Sequence, residues 1–185
     1  WRLVHEDMPK APNSDMSKLG AVALAKEVGS SYYWRRQTAR RLLVEKATLS
    51  PEATKILMEF AKGALGSRES VVNALHALAG LGKLSPPPLL TALANADFGV
   101  RVHALRLSEP WLDHSTKVLE KVVSMTEEDN PLVLIQLALT LGESRSAKAG
   151  RALETLAKAH AELKWMKTAI QSSKGEGNDD GASVG

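Results

Sequence analysis

The chain has 185 residues, 24 of them basic and 21 acidic for a formal net charge of +3, and no cysteine. That excludes thiol nucleophiles, zinc-thiolate sites, thioether-bound haem and disulfides, and so small a basic excess does not by itself point to nucleic acid. Hydrophobic residues make up 44% and aromatic ones only 4%, the balance of Ala- and Leu-rich helix packing rather than of a β-sandwich.

Trp1 to His5 alternates as a strand does and runs into the proline-bearing connector Met8 to Asn13, so residues 1–13 read as the end of a preceding β domain plus a linker. Ser14 and Asp15 can cap a first helix whose apolar residues Leu19, Val22, Ala23 and Ala25 run on to Val28, with Gly29 as its stop. A second helix spans Tyr32 to Lys46. Ser50 stands before Pro51 at a first helical position, opening a third helix through Ile56, Leu57, Phe60 and Ala61 that Gly63 and Gly66 break. Ser67 starts the next, through Val71 to Leu81, and Gly82 ends it. Ser85 and three prolines set up a short helix from Leu89 to Ala96, and Asp97 is placed to cap its successor.

Pro110 forces a boundary by pushing Glu109 out of the helical region. Asp113 then leads an amphipathic stretch, Thr116 to Met125, and the break from Glu127 to Pro131 precedes an apolar helix, Leu132 to Leu141. Ala147 to Ala161 and Lys164 to Ser172 make a last pair. Residues 174–185 are glycine-rich and acidic without an apolar period, which reads as a flexible tail or linker. No run approaches the roughly 18 apolar residues of a membrane-spanning helix, so no membrane insertion is expected. The opening lacks the order of a signal peptide. The chain starts on Trp1 rather than Met, as a segment of a longer protein does.

One pattern recurs through these helices every thirty-odd residues: a small residue at a fixed phase, flanked by Leu, Val or Arg. The copies centre on Ala39, Ala74, Ala104, Ala138 and Ala169. A unit this short cannot bury its own apolar face, so neighbours must stack into a continuous core and function falls on exposed surfaces. The expected fold is all-α, a right-handed solenoid of about ten helices in antiparallel pairs over residues 14–173.

The wording inside the copies is familiar. Asp97-Phe98-Gly99-Val100-Arg101-Val102-His103-Ala104-Leu105-Arg106-Leu107 resembles the Asp-x-x-Val-Arg-x-x-Ala-Leu-x-x-Leu of HEAT repeats. The order of Trp1 to Val4, Trp34 to Leu43, His76 to Gly82, Arg101 to Pro110, Gln136 to Gly142 and Trp165 to Ser173 is similar to the middle segment of planctomycete-type membrane-bound dehydrogenase proteins. The resemblance implies a β-propeller like those of sugar dehydrogenases before the segment, with Trp1 to His5 its last strand, a c-type haem domain after it in many members, and a periplasmic or secreted parent. It transfers no catalytic residue to any position here.

Residues that could carry chemistry were weighed on this frame. Arg35, Arg36, Arg40 and Arg41 beside Tyr32, Tyr33 and Trp34 combine rings and cations as single-strand binders do; the alternative is that Trp34 packs between helices while the arginines bond carbonyls and acids of adjacent repeats. Arg101 stands three residues before its repeat alanine as Arg36 does, a phase that suits a ladder contact to a neighbouring Asp or Glu. His76 and His103 share a similar phase but lack the spacing of metal ligands. Trp111 with Asp97 and Asp113 could place a carboxylate beside an aromatic platform, as in HEAT-like DNA alkylpurine glycosylases, or Trp111 could fill a gap between repeats while Asp113 caps a helix. The expectation is a non-catalytic scaffold that holds no metal or cofactor, contacting other domains of the same polypeptide or a protein partner, with Trp34, Arg35, Arg36, Arg40, Arg101 and Arg106 as the binding candidates. A nucleic-acid-binding or glycosylase-like domain is the alternative.

Overall fold

Prolines and short polar side chains decide where the helices begin. In the computed structural model, which describes residues 15–47, 49–163 and 165–173, ten α-helices follow one another: α1 (Ala21–Glu27), α2 (Tyr33–Lys46), α3 (Pro51–Ala61), α4 (Arg68–Gly80), α5 (Pro86–Leu93), α6 (Phe98–Ser108), α7 (Thr116–Val123), α8 (Pro131–Gly142), α9 (Ala147–Ala159) and α10 (Met166–Ser173). No strand occurs among the described residues. The Ser50 hydroxyl accepts the Ala53 N–H ahead of Pro51, the Asp97 carboxylate accepts the Val100 N–H, and Asn130 accepts the N–H groups of Leu132 and Val133 ahead of Pro131. Each cap satisfies donors that a helix leaves orphaned in its first turn, and each Pro sits where it has no helical bond to lose.

Three start positions depart from the sequence expectation. α5 begins on Pro86, three residues ahead of the expected Leu89, and ends at Leu93 rather than Ala96. Asp15 caps only the single 3-10 turn Met16–Lys18; the chain is extended at Leu19, and α1 begins after Gly20. The amphipathic stretch after Trp111 is capped by Ser115, whose hydroxyl accepts the Val118 N–H, and not by Asp113, which lies two positions too early to reach the first-turn amides. α6 does end ahead of Pro110, the chain passing into the 3-10 turn Glu109–Trp111, but Glu109 is not pushed out of the helical region: it keeps φ −49° and ψ −50°. The strand expected at Trp1 to His5, the Ser14 cap and the tail over 174–185 lie outside the described residues.

The contacts between helices form two successions. α2 packs on α4, α4 on α6, α6 on α8 and α8 on α10; in parallel, α1 packs on α3, α3 on α5, α5 on α7 and α7 on α9. Within each consecutive pair, α1 with α2 through α9 with α10, the two rows meet, and the leucines between them form the core, Leu24, Leu43, Leu57, Leu75, Leu78, Leu93, Leu105, Leu134 and Leu137 being fully buried. Burial of such a side chain contributes about 1.5 to 3 kcal/mol. α8, apolar on nearly every side, is touched by α6, α7, α9 and α10, as a helix without a polar face has to be.

The recurring alanine is buried in every even-numbered helix from α2 to α10. Ala39, Ala74, Ala104 and Ala138 have no exposed surface, and Ala169 in α10 keeps only 5%. A close approach of α2 and α4 is visible at Gly80, where an added Cβ would stand 2.9 Å from Cγ2 of Val44. Gly82, two residues on, takes φ +64° and turns the chain out of α4, a conformation glycine adopts without steric cost.

Replacing Ala104 with Leu is therefore expected to lower stability by about 1 to 3 kcal/mol, the usual cost of forcing extra methylenes between packed helices. Chemical denaturation measures it, and an unchanged midpoint would mean that Ala104 is not at a helix crossing.

Candidate functional site

Arg35, Arg36 and Arg101 are consumed inside the fold. Arg35, buried at the start of α2, reaches back to Glu27 at the end of α1 with two bonds, Nε to Oε2 at 2.7 Å and Nη2 to Oε1 at 2.6 Å. Such a fork-on-carboxylate pair has the geometry of a strong charge-assisted bond. The same guanidinium lies 5.5 Å from the ring centroid of Trp34. Arg36 Nη1 donates to the carbonyls of Ser30 and Ser31, at 2.7 and 3.0 Å. Arg101 Nη1 repeats this two helix pairs later, donating to the carbonyls of Asn95 and Ala96 at 2.8 Å each. Both arginines thus lace the loop five and six residues upstream to the helix that follows it.

Arg101 also spans to the next repeat. Its Nε and Nη2 bond the two carboxylate oxygens of Glu128 at 2.8 and 2.9 Å, with both side chains mostly buried. Burial alone would raise the Glu128 pKa, but the Arg101 bonds and the Asn130 N–H outweigh it and hold the carboxyl below its ordinary value. Parallel links join the neighbouring loops: Arg68 to Asp97 at 3.2 Å, Asp113 accepting from the Ser144 hydroxyl at 2.7 Å and from the Arg145 N–H, and Glu109 accepting from Thr140 at 3.2 Å. Together they form a polar ladder along the helix ends.

The tryptophans and aspartates of the sequence take separate places. Trp34 does not pack between helices; it is 42% exposed, with Arg35 beside its ring, because Arg35 and Arg36 take the buried positions at that turn. Asp97 is a helix cap paired to Arg68, and Asp113 accepts from the Ser144 hydroxyl and the Arg145 N–H. Trp111 packs one side on the core and lines a cleft with the other.

That cleft, about 930 Å³, opens over α2, α4 and α6 and is lined by Arg40, His76, Arg106, Glu109, Trp111 and His114 among others. A shallower depression continues from it along α2, sharing Arg40 and His76. Arg40 and Arg106 form no hydrogen bond or ion pair with another described residue. Between them, His76 Nε2 and His103 Nδ1 meet at 3.0 Å with the rings edge to face. One nitrogen must donate and the other accept, which two neutral imidazoles of complementary tautomer do. Burial, then His103, Arg40 and Arg106 push the His76 pKa down to about 4; burial, then Arg106 and Arg40 lower that of His103. Both rings are neutral at pH 7. Glu109, across the cleft, is raised above the usual carboxylate range, chiefly by burial.

The sequence named Arg40, Arg106 and both histidines but not their meeting, since the phase of a residue on a helix does not say which neighbouring side chain it faces. Glu27, Glu128 and Glu109 were not singled out at all; the one available signal was their place in or beside loops that repeat at the period of the arginines. No group of three or more metal-ligating side chains exists among the described residues, and no described helix is long and apolar enough to cross a membrane. No protein family, curated protein or solved structure matches the chain.

Two outcomes follow. Arg101→Gln is expected to cost about 2 to 3 kcal/mol, because it leaves Glu128 and two loop carbonyls without their cation, whereas Arg106→Gln stays within about 0.5 kcal/mol; equal denaturation midpoints for the two variants would contradict the division. Because the His76 pKa is depressed on folding, its contribution is fully present above pH 6.5 and is lost as pH falls toward about 4. His76→Gln should flatten that part of the stability profile, and an unaltered slope would place the acid sensitivity elsewhere.

Proposed function

We propose that this chain is a non-catalytic scaffold of HEAT type, a right-handed superhelix of helix pairs that docks or spaces other domains of a larger, redox-associated protein through its even-numbered helices. The reading rests on one observation above all: the arginines of the repeat divide into a set consumed by the fold and a pair, Arg40 and Arg106, presented without carboxylate partners at an open cleft. Unpaired charge at a surface costs little and steers association with a complementary partner.

Support for the repeat architecture comes from the two parallel successions of helix contacts and from the small residue at each even-numbered helix. Support for a docking role rather than chemistry is that the acids weighed for catalysis, Asp97 and Asp113, are engaged as cap and clamp. The redox-associated parent rests on the sequence resemblance alone.

Nucleic-acid binding is the second reading, favoured by the presence of Trp111 and two unpaired cations in one cleft. It is the weaker of the two because Arg35 and Arg101 are bound to carboxylates, leaving few cations for a phosphate backbone. Titration of labelled single- and double-stranded DNA at about 0.15 M salt, where the Debye length is roughly 8 Å, distinguishes them. The scaffold reading predicts no saturable binding. Tight binding that is lost on Arg40→Gln with Arg106→Gln would replace it with the nucleic-acid reading.

A further inference from the structure

The Arg40, His76, His103 and Arg106 cluster is built from three successive even-numbered helices, and nothing in the fold uses it. Arg40 comes from α2, His76 from α4, and His103 and Arg106 from α6. The buried and half-buried arginines Arg35, Arg36 and Arg101 each have a carboxylate or carbonyl to neutralise them; Arg40 and Arg106, beside two half-buried rings, have neither. We propose that the cleft over α2, α4 and α6 binds carboxylate side chains of an acidic protein segment between Arg40 and Arg106, and that the His76–His103 pair takes up one proton as the segment binds. The inference rests on the docking role proposed above and specifies its ligand and its regulation.

The charge balance carries the coupling. Groups acting on the imidazoles are Arg40 from α2 and Arg106 from α6, both cationic, together with His103 acting on His76; no charged side chain of α3 or α5, which also touch α4, is among them. Farther out, Arg41 is neutralised by Glu45 on α2. Glu109 lies on the far wall of the cleft, held by Thr140 and Gln136 from α8 and facing Arg106 and Glu143. In the empty cleft the field of the two arginines opposes a third positive charge. Carboxylates seated between them cancel that field, so an imidazolium becomes favourable at a pH where the empty site is neutral.

The 3.0 Å contact between the rings fits both states. With both rings neutral, one N–H donates to the other ring's lone pair. Adding one proton from solvent to an outward nitrogen makes that ring a cation while the same N–H···N bond persists, now charge-assisted and stronger. A second proton would leave two donors facing each other, so uptake stops at one.

An acidic protein segment fits the cleft better than a nucleic acid does. Leu84, Leu107, Pro110 and Trp111 line it beside the cations, surfaces that receive apolar side chains interspersed with acids. The carboxylates of Glu45 and Glu109 at its margins repel a continuous phosphate backbone but leave room for discrete acidic side chains.

The test is calorimetric titration of the full chain with a capped synthetic peptide of repeated Glu-Glu-Leu, at pH 6 and pH 8, in pairs of buffers of different ionisation enthalpy, with the imidazole resonances of His76 and His103 followed by NMR. Expected are binding about three- to tenfold tighter at pH 6, net uptake of up to about one proton, and movement of both imidazoles to higher pKa with peptide bound. His76→Gln should abolish the uptake and with it the difference in affinity between pH 6 and pH 8, and Arg40→Gln with Arg106→Gln should weaken binding about tenfold or more at either pH. Binding without proton uptake in the unmodified chain overturns the coupled site and leaves the docking role standing. No binding at either pH overturns the docking role with it, and preferential binding of a DNA duplex run as a parallel arm transfers the cleft to the nucleic-acid reading.

Discussion

Everything in this structure hangs on the close approach of successive even-numbered helices at one small residue per repeat. Ala39, Ala74, Ala104, Ala138 and Ala169 are buried in α2, α4, α6, α8 and α10, helices that pack on one another in succession, and a larger side chain at any of them would need room that close packing does not leave. Because the contact is fixed at that phase, residues one or two positions away are brought level across neighbouring helices. Arg40 follows Ala39 by one residue, His76 follows Ala74 by two, and His103 and Arg106 straddle Ala104. The cluster in the cleft is a consequence of the packing rule, and the 3.0 Å contact between the histidines is its clearest expression.

The second layer of order is electrostatic and sits at the helix ends. Arg36 and Arg101 bond carbonyls at the same two upstream positions in repeats 65 residues apart in number, and Arg101, Arg68 and Asp113 each reach a loop 27 to 32 residues further along. The leucine core makes the helices adhere, but apolar contact is non-directional; forked bonds to fixed carbonyls and carboxylates set the level at which each loop sits. Arg40 and Arg106, lying further along their helices than Arg36 and Arg101, miss both kinds of partner and are left to the cleft.

Much of this was legible beforehand, and the failures have physical causes. The alanine period, the Ser-Pro and Asn-Pro starts and the Asp97 cap are local signals, and the helices follow them. The equivalence of Arg36 and Arg101 was visible as a shared phase. What phase does not contain is direction and partner: it could not tell that Trp34 would lie outward under Arg35, or that His76 and His103 would touch. Asp113 misled because two potential caps, Asp113 and Ser115, stand close together, and only the nearer one reaches the amides of α7. Gly20 was overlooked because the apolar residues around it continue a helical period through the break.

The central claim is that each repeat is held chiefly by its immediate neighbours through the alanine crossings. In such an array, damage at one crossing stays local, whereas in a single shared core it spreads. Native-state hydrogen exchange of an Ala138→Leu variant, resolved helix by helix, tests this most directly. The account predicts that amide protection falls in α6, α8 and α10 and is unchanged in α1 and α2. An equal loss of protection along the whole chain would contradict it.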